Sequence, residues 1–281
     1  MRMGYSQEEI THFNREKSKR FIDLELVESY TTTSTIDDKE ELIQVGDGKE
    51  ESLYATESTN DNATVSDGTK TMKTTVSLVK ESTGNYKIFL KNDITWDTIP
   101  RQRLSDISGI QFDSNFLVSK SNGYPDIETH QKYHYYHYNH VKTSTVKPTT
   151  SVENKDIDIK KEGKDTDSYK IDLAKHYIGF EFKLPEDYHH SFKRRGSNIE
   201  EKKEYSNFSY SIECFLENTQ SSFQKGALQI VFAHQNNSGK IDWGQLSFSL
   251  SKPYVNYTLK LFSNNPGFEQ GLSNYLTIGV D

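Results

Sequence analysis

Cysteine is almost missing from this chain. The 281 residues contain one Cys, Cys214, so no intramolecular disulfide can form. A small, disulfide-stapled extracellular domain is therefore excluded, although export without disulfides is not. No apolar run approaches the ~20 residues that a membrane helix needs. A charged amino terminus followed by an apolar core is also missing after Met1, so export would require a leader upstream of Met1-Arg2-Met3-Gly4. Mean hydropathy is -0.81 and hydrophobic residues make up 33% of the chain. Positive charge is in deficit, with Lys+Arg 34 against Asp+Glu 41 and a net charge of -7. A general nucleic-acid binder needs a positive surface to displace counterions, so nucleic acid is not an expected partner. The glycines of a dinucleotide loop and the Lys-Ser/Thr of a phosphate loop are missing, and no βαβ alternation supports such a fold.

Aromatics are abundant, with Tyr 17 and Phe 15. Disordered chains lack them, so a folded, aromatic-rich core with long polar excursions is expected. The clearest pattern lies between residues 205 and 262. Phe208, Tyr210, Ile212, Cys214 and Leu216 alternate with polar residues, and Ala227–His234, Ile241–Leu250 and Tyr254–Phe262 follow as further strand signals. Earlier, Thr74, Val76 and Leu78 alternate, Gly84-Asn85 makes a turn, and Tyr86, Ile88 and Leu90 alternate again. Ile107–Phe112, Phe116–Val118, Tyr133–Val141, Ile178–Leu184 and Tyr275–Val280 add strands. The sum predicts an all-β fold, an antiparallel sandwich or barrel-like sandwich, with a short N-terminal helix. That helix is announced by the capping box Ser6-Gln7-Glu8-Glu9, and Ile10 and Phe13 give it a thin apolar face for packing on the body. The expected organisation is a helical segment over 1–29, a polar, mobile linker over 30–70, and one β domain over 71–281. Residues 147–168 read as a loop or weak edge strand, and 185–203 as a long charged loop.

Candidate chemistry is sparse. Cys214 shares the apolar face of its strand, which makes it a core thiol rather than a nucleophile. His130, His134 and His140 fall on one face of a strand and His137 on the other. One straight strand spreads His134 and His140 by ~20 Å at ~3.3 Å per residue, too far for a single metal ion. Asp156, Asp158, Asp165 and Asp167 lack the rest of a calcium loop, so no metal or other cofactor is expected. The flat, polar-edged rings of Tyr133, Tyr135, Tyr136, His137 and Tyr138 suit stacking on sugars or peptides, and these five residues form the expected ligand-binding set.

The segment Ile94–Ile107 contains Trp96, Pro100, Arg103 and Asp106 in a Trp-x-x-x-Pro-x-x-Arg-x-x-Asp arrangement. It resembles poorly characterised exported, β-rich proteins of Gram-positive bacteria, a likeness confined to about residues 70–120. The resemblance implies export and a β-rich fold but no activity. On physical grounds Trp96 pins a strand end into the core, and Arg103 and Asp106 are placed to pair across a turn. The expectation is a secreted or cell-surface, non-catalytic binding or adhesion module for a glycan, peptide or wall polymer. Two alternatives follow. One is a β-pore-forming toxin with residues 141–170 as the membrane hairpin; its weak apolar alternation counts against it. The other is a hydrolase with loop-borne carboxylates.

Overall fold

The computed structural model describes residues 3–36, 42–46, 69–100, 103–143, 147–167, 169–173, 176–219, 226–235 and 272–278. The fold is all-β with two short N-terminal helices, α1 (Gln7–Thr11) and α2 (Arg15–Ile22). The strands in chain order are β1 (Leu24–Ile36), β2 (Leu42–Gly46), β3 (Lys70–Glu81), β4 (Tyr86–Trp96), β5 (Ser105–Phe112), β6 (Phe116–Val118), β7 (Lys120–Ser121) and β8 (Tyr124–Pro125). They continue as β9 (Ile127–Thr143), β10 (Thr149–Glu162), β11 (Tyr169–Asp172), β12 (Tyr177–Lys183), β13 (Tyr188–Arg194), β14 (Ser197–Asn218), β15 (Gly226–His234) and β16 (Leu272–Ile278).

Among the described residues all pairings are antiparallel, and they form two main sheets. The larger runs β10-β9-β14-β4-β3-β1-β2, and β13 and β6 also pair with β14. The smaller runs β11-β12-β5-β15-β16. Their inner faces close a single core. Met72, Val76, Leu90, Ile94, Phe208 and Ile212 from the large sheet meet Ile110, Phe112, Phe180, Leu228, Ile230 and Phe232 from the small one, and all are buried. The apolar alternation in the sequence puts every second residue of these strands on the core face, and the two facing sheets make the fold a sandwich.

One buried carboxylate ties the two sheets together. Trp96 Nε1 on β4 donates to Asp106 Oδ2 at 2.8 Å, and Tyr210 Oη on β14 donates to the same oxygen at 2.6 Å. His234 Nδ1 on β15 lies 2.7 Å from Asp106 Oδ1. Trp96 pins its strand end as the sequence suggests, but the expected Arg103–Asp106 pair does not form. Arg103 instead makes a two-pronged contact with Asp187, at 2.6 Å from each nitrogen. The reason is solvation: a buried Asp needs several fixed donors, which Trp96, Tyr210 and His234 supply from within the core.

The N-terminal segment clasps the outer face of the large sheet. Ser6 caps α1 with Glu9 as the reciprocal partner, as the capping box predicts. The single short helix expected here is split in two, because the chain caps again at Asn14, whose side chain accepts from the Lys17 amide. The break turns Phe13 and Phe21 toward Tyr5, Phe89 and Phe215, a cluster with ring centroids 4.8–6.0 Å apart. Beside it, Lys17 bridges Glu128 (3.1 Å) and Glu213 (2.8 Å), and Arg20 reaches Asp126 at 2.7 Å.

The stretch 30–70 begins inside the sheet. Tyr30–Ile36 belong to β1 and pair with β3, and Thr32–Ile36 also pair with β2. Residues 47–68 lie outside the described residues, as do the strands expected at Ile241–Leu250 and Tyr254–Phe262 and the side chain of Trp243.

Candidate functional site

The feature that sets this sandwich apart is an extension of its large sheet. β14 is 22 residues long. Along one edge it pairs with β9 from Ser197 to Cys214. Along the other edge its first part pairs with β13 and its later part with β4. The order β10-β9-β14-β13 therefore makes a four-stranded tongue of which only the lower part continues into the sandwich. The charged loop expected at 185–203 is in fact the β13–β14 hairpin. Residues 147–168 hold the edge strand β10, as one of the two readings of that stretch had it. Both stretches lack a strong apolar alternation because most of their side chains meet water on either face.

A bulge decides which rings share a face. Between Ser206 and Ser209 the register slips, so Asn207 and Phe208 together stand opposite Tyr133. Asn207 takes φ 57, a left-handed conformation that Asn tolerates and that a bulge requires. Above the bulge the odd-numbered residues of β14 point to the core side; below it the even-numbered ones do. Without the extra residue Tyr205 and Phe208 would lie on opposite faces. With it, Tyr205 continues the line of the core.

The five residues expected to bind ligand are thereby divided. Tyr133, Tyr135 and His137 lie on the core-side face, and Tyr136 and Tyr138 on the opposite face. The core-side face carries the richer set. Tyr133 packs against Phe208 (5.7 Å) and Tyr205 (5.6 Å), and Tyr135 against Tyr205 (5.3 Å) and His137 (6.0 Å). On β13 the rings of Tyr188, His190 and Phe192 continue in line, 5.8 and 5.2 Å apart. Lys155 stands 5.7 Å over Tyr135, and Lys203 stands 5.6 Å over Tyr188. His137 Nε2 is 3.1 Å from Glu201. The result is a half-buried row of rings edged by cations, with carboxylates between them.

Tyr205, Tyr188, His190 and Phe192 were not singled out from the sequence. The signal was present as Tyr188-x-His190-x-Phe192, a short alternation hidden between Glu186 and Arg195. Tyr205 carried none, because the bulge shifts its parity relative to Phe208.

The opposite face is an electrostatic ladder. His130 sits between Glu128 (3.0 Å) and Asp158 (2.9 Å), and His134 is 2.8 Å from Asp156. His140 lies 2.8 Å from Thr150. Burial disfavours the charged form of His130, but hydrogen bonds to Glu128 and Asp158 outweigh it and raise its pKa. The Asp156 hydrogen bond raises that of His134. Burial likewise opposes ionisation of Glu128, yet His130, Lys17 and Lys160 hold its carboxyl below the usual carboxylate range. Each histidine has its own partner, and among the described residues no three His, Cys, Asp or Glu converge as metal ligands.

Two further places have chemical potential. Glu128 and Glu213 stand opposite each other on β9 and β14, a close carboxylate pairing of the kind a hydrolase would use. Lys17 and Arg20 of α2 cover and neutralise them, so the pair serves as an ion cluster under the clasp. A half-open cleft of about 680 Å³ lies where Tyr5, Ser6 and Glu9 face Thr31, Lys73 and Asp93. Its two carboxylates are already engaged, since Lys91 pairs with both Glu9 and Asp93. Cys214 is fully buried, and burial pushes its thiol up to about 12, the inert core group that its alternation indicates.

The β9–β10 hairpin also bears on the pore-forming alternative. One face of β10 presents Thr150, Val152, Asn154, Asp156, Asp158 and Lys160; the other presents Ser151, Glu153, Lys155, Ile157, Ile159 and Lys161. Neither is the apolar band that lipid requires.

No family model and no curated protein matches the chain. Among solved structures it is similar to the NetB toxin of Clostridium perfringens in its membrane-inserted form, at 8% identity and a TM-score of 0.17, over 74% of this chain and 84% of that one. A TM-score of that size establishes no shared fold, and no residue role is carried over from it.

Proposed function

We propose that this protein is an exported or cell-surface binding module that holds a glycan, a peptide or a wall polymer along the core-side face of its tongue, without catalysis. The observation that carries this reading is the row Tyr133, Tyr205, Tyr135 and His137, which leaves the core and continues into solvent on one face. Rings that are only half covered offer apolar stacking surface, while their hydroxyls and the neighbouring Lys155, Lys203 and Glu201 supply hydrogen bonds and charge. Such a face is open and linear, which fits a chain-like ligand better than a small enclosed one. The sandwich below holds the row rigidly, because Phe208 at its base is packed into the core.

A glycan and peptide array probed with the full chain tests the proposal. Hits should lose binding in Tyr135→Ala and Tyr205→Ala and keep it in Tyr136→Ala and Tyr138→Ala, which alter only the other face. An array without hits, or hits indifferent to both core-side changes, would remove the reading.

A further inference from the structure

The tongue ends in two exposed edge strands. Among the described residues β10 pairs only with β9, and β13 only with β14. Almost every residue of both strands is exposed. Free strand edges are templates for adding another strand, and proteins normally shorten, twist or cover them. Here neither edge carries a proline within the strand.

The two edges are complementary in direction. β9 and β13 run toward the hairpin tips, and β10 and β14 run back toward the sandwich. A second copy placed beside the first sets its β13 against the first copy's β10 in antiparallel orientation. The alternation then continues unbroken from copy to copy.

They are also complementary in side chains at one register. Within one copy Tyr188 stands level with Lys203, His137 and Glu153 across the tongue. Moving Tyr188 of the incoming copy from the level of Glu153 to that of Ile159 displaces it by six residues and preserves the faces. Tyr188 and Ile159, exposed by 41% and 38%, then cover each other. At the same register His189 meets Asp158, Phe192 meets Lys155, and Arg194 meets Glu153. Six residues over four strands correspond to a strand tilt of about 45°, using ~3.3 Å per residue and ~4.8 Å between strands, at the upper end of the range that curved, closing sheets adopt.

We infer that copies of this chain associate side by side through β13 of one and β10 of the next. The contact is heterologous, so it builds a ring where the curvature closes and an open row where it does not. This is independent of the ligand reading, because it uses the edges of the tongue rather than its aromatic face.

The test combines mass and crosslinking. Sedimentation of the full chain from micromolar to millimolar concentration should show the mass rising from the 32.4 kDa monomer to multiples of it. Ser191→Cys and Asp156→Cys stand opposite each other at the inferred register, on exposed positions, while native Cys214 is buried and silent. Mixed and oxidised, the two variants should give a covalent heterodimer. Neither variant alone should form a covalent dimer. Ser191→Cys mixed with Thr150→Cys, which is its level partner without the displacement, should stay uncrosslinked. Melting curves matching the unsubstituted chain establish that the variants fold. A mass that stays monomeric with no heterodimer would overturn the inference, and so would homodimers of Asp156→Cys alone, which mean β10-to-β10 pairing.

Discussion

Tyr210→Phe removes one hydroxyl from the buried knot that joins the sheets, and its cost follows from what remains. Tyr210 Oη donates to Asp106 Oδ2 at 2.6 Å, in a site where both residues are buried. A hydrogen bond to a charged group contributes about 1.5–3 kcal/mol, and water cannot replace the lost donor in the core. Asp106 keeps Trp96 on the same oxygen and His234 on the other, so the carboxylate is weakened rather than orphaned. The expected loss is therefore about 2 kcal/mol, near the middle of that range. Equilibrium unfolding in urea should show it as a lower midpoint with an unchanged slope, because the surface exposed on unfolding stays the same. At about 2–4 °C per kcal/mol for a domain of 150–250 residues, the melting temperature should fall by ~4–8 °C. Trp96→Phe with Tyr210→Phe should be non-additive, since both donors serve one oxygen. Tyr205→Phe, outside the knot, is the control. A Tyr210→Phe chain within ~0.5 kcal/mol of the unsubstituted one, the usual scatter of a neutral surface change, would refute the claim that this carboxylate links the sheets.

Three other outcomes are expected. Phe21→Ala should loosen the N-terminal clasp by about 2–3 kcal/mol, below the cost of a fully buried Phe because this ring is only partly covered, and limited trypsin digestion should then cut first at Arg15 to Arg20. Gly163→Ala should destabilise by more than ~2 kcal/mol in chemical denaturation, because the added Cβ would fall 1.7 Å from the Pro125 carbonyl oxygen, a backbone atom with little room to give. The β9–β10 pairing should be pH-dependent. His130 and His134 have raised pKa values in the fold, so their stabilisation is full below the ordinary His value of ~6.5 and fades as pH rises through the folded values. Glu128 is lowered, so its contribution is present above the ordinary carboxylate range and is lost only in acid. Amide exchange in β10, corrected for intrinsic rates, should thus be slower near pH 6 than near pH 8. His134→Gln should shrink that difference.

The sequence revealed the sandwich wherever one face of a strand enters the core. In β3, β4, β12 and the lower part of β14 the core-facing residues are apolar at every second position, whereas β5 is buried along its whole length. The tongue was largely illegible for the same reason. In β10, β13 and the upper part of β14 both faces are mostly wetted, so hydrophobic period carries little information about strand geometry. The Tyr- and His-rich strand β9 stood out by composition alone; parity separates His137 from His130, His134 and His140 as expected, but the five-residue ligand set drawn from the strand mixes its two faces. What composition could not supply was the bulge at Asn207, a two-residue local event that brings Tyr205 into line with Tyr133 and Tyr135. Nor could spacing show that Arg103 reaches Asp187, 84 residues away. Asp106 turned inward for a comparable reason, since its partners come from three different strands.

The ring row is one-sided, and that sidedness can be measured. The direct measurement is the affinity of the full chain for its best array ligand, compared between Tyr135→Ala and Tyr138→Ala, neighbours on β9 that face opposite ways. Loss of one stacking ring is worth about 0.5–1.5 kcal/mol beyond its buried area, so Tyr135→Ala should weaken binding by roughly tenfold or more while Tyr138→Ala leaves it unchanged. Equal losses from both, or a loss from Tyr138→Ala alone, would contradict the assignment of the core-side face as the binding surface.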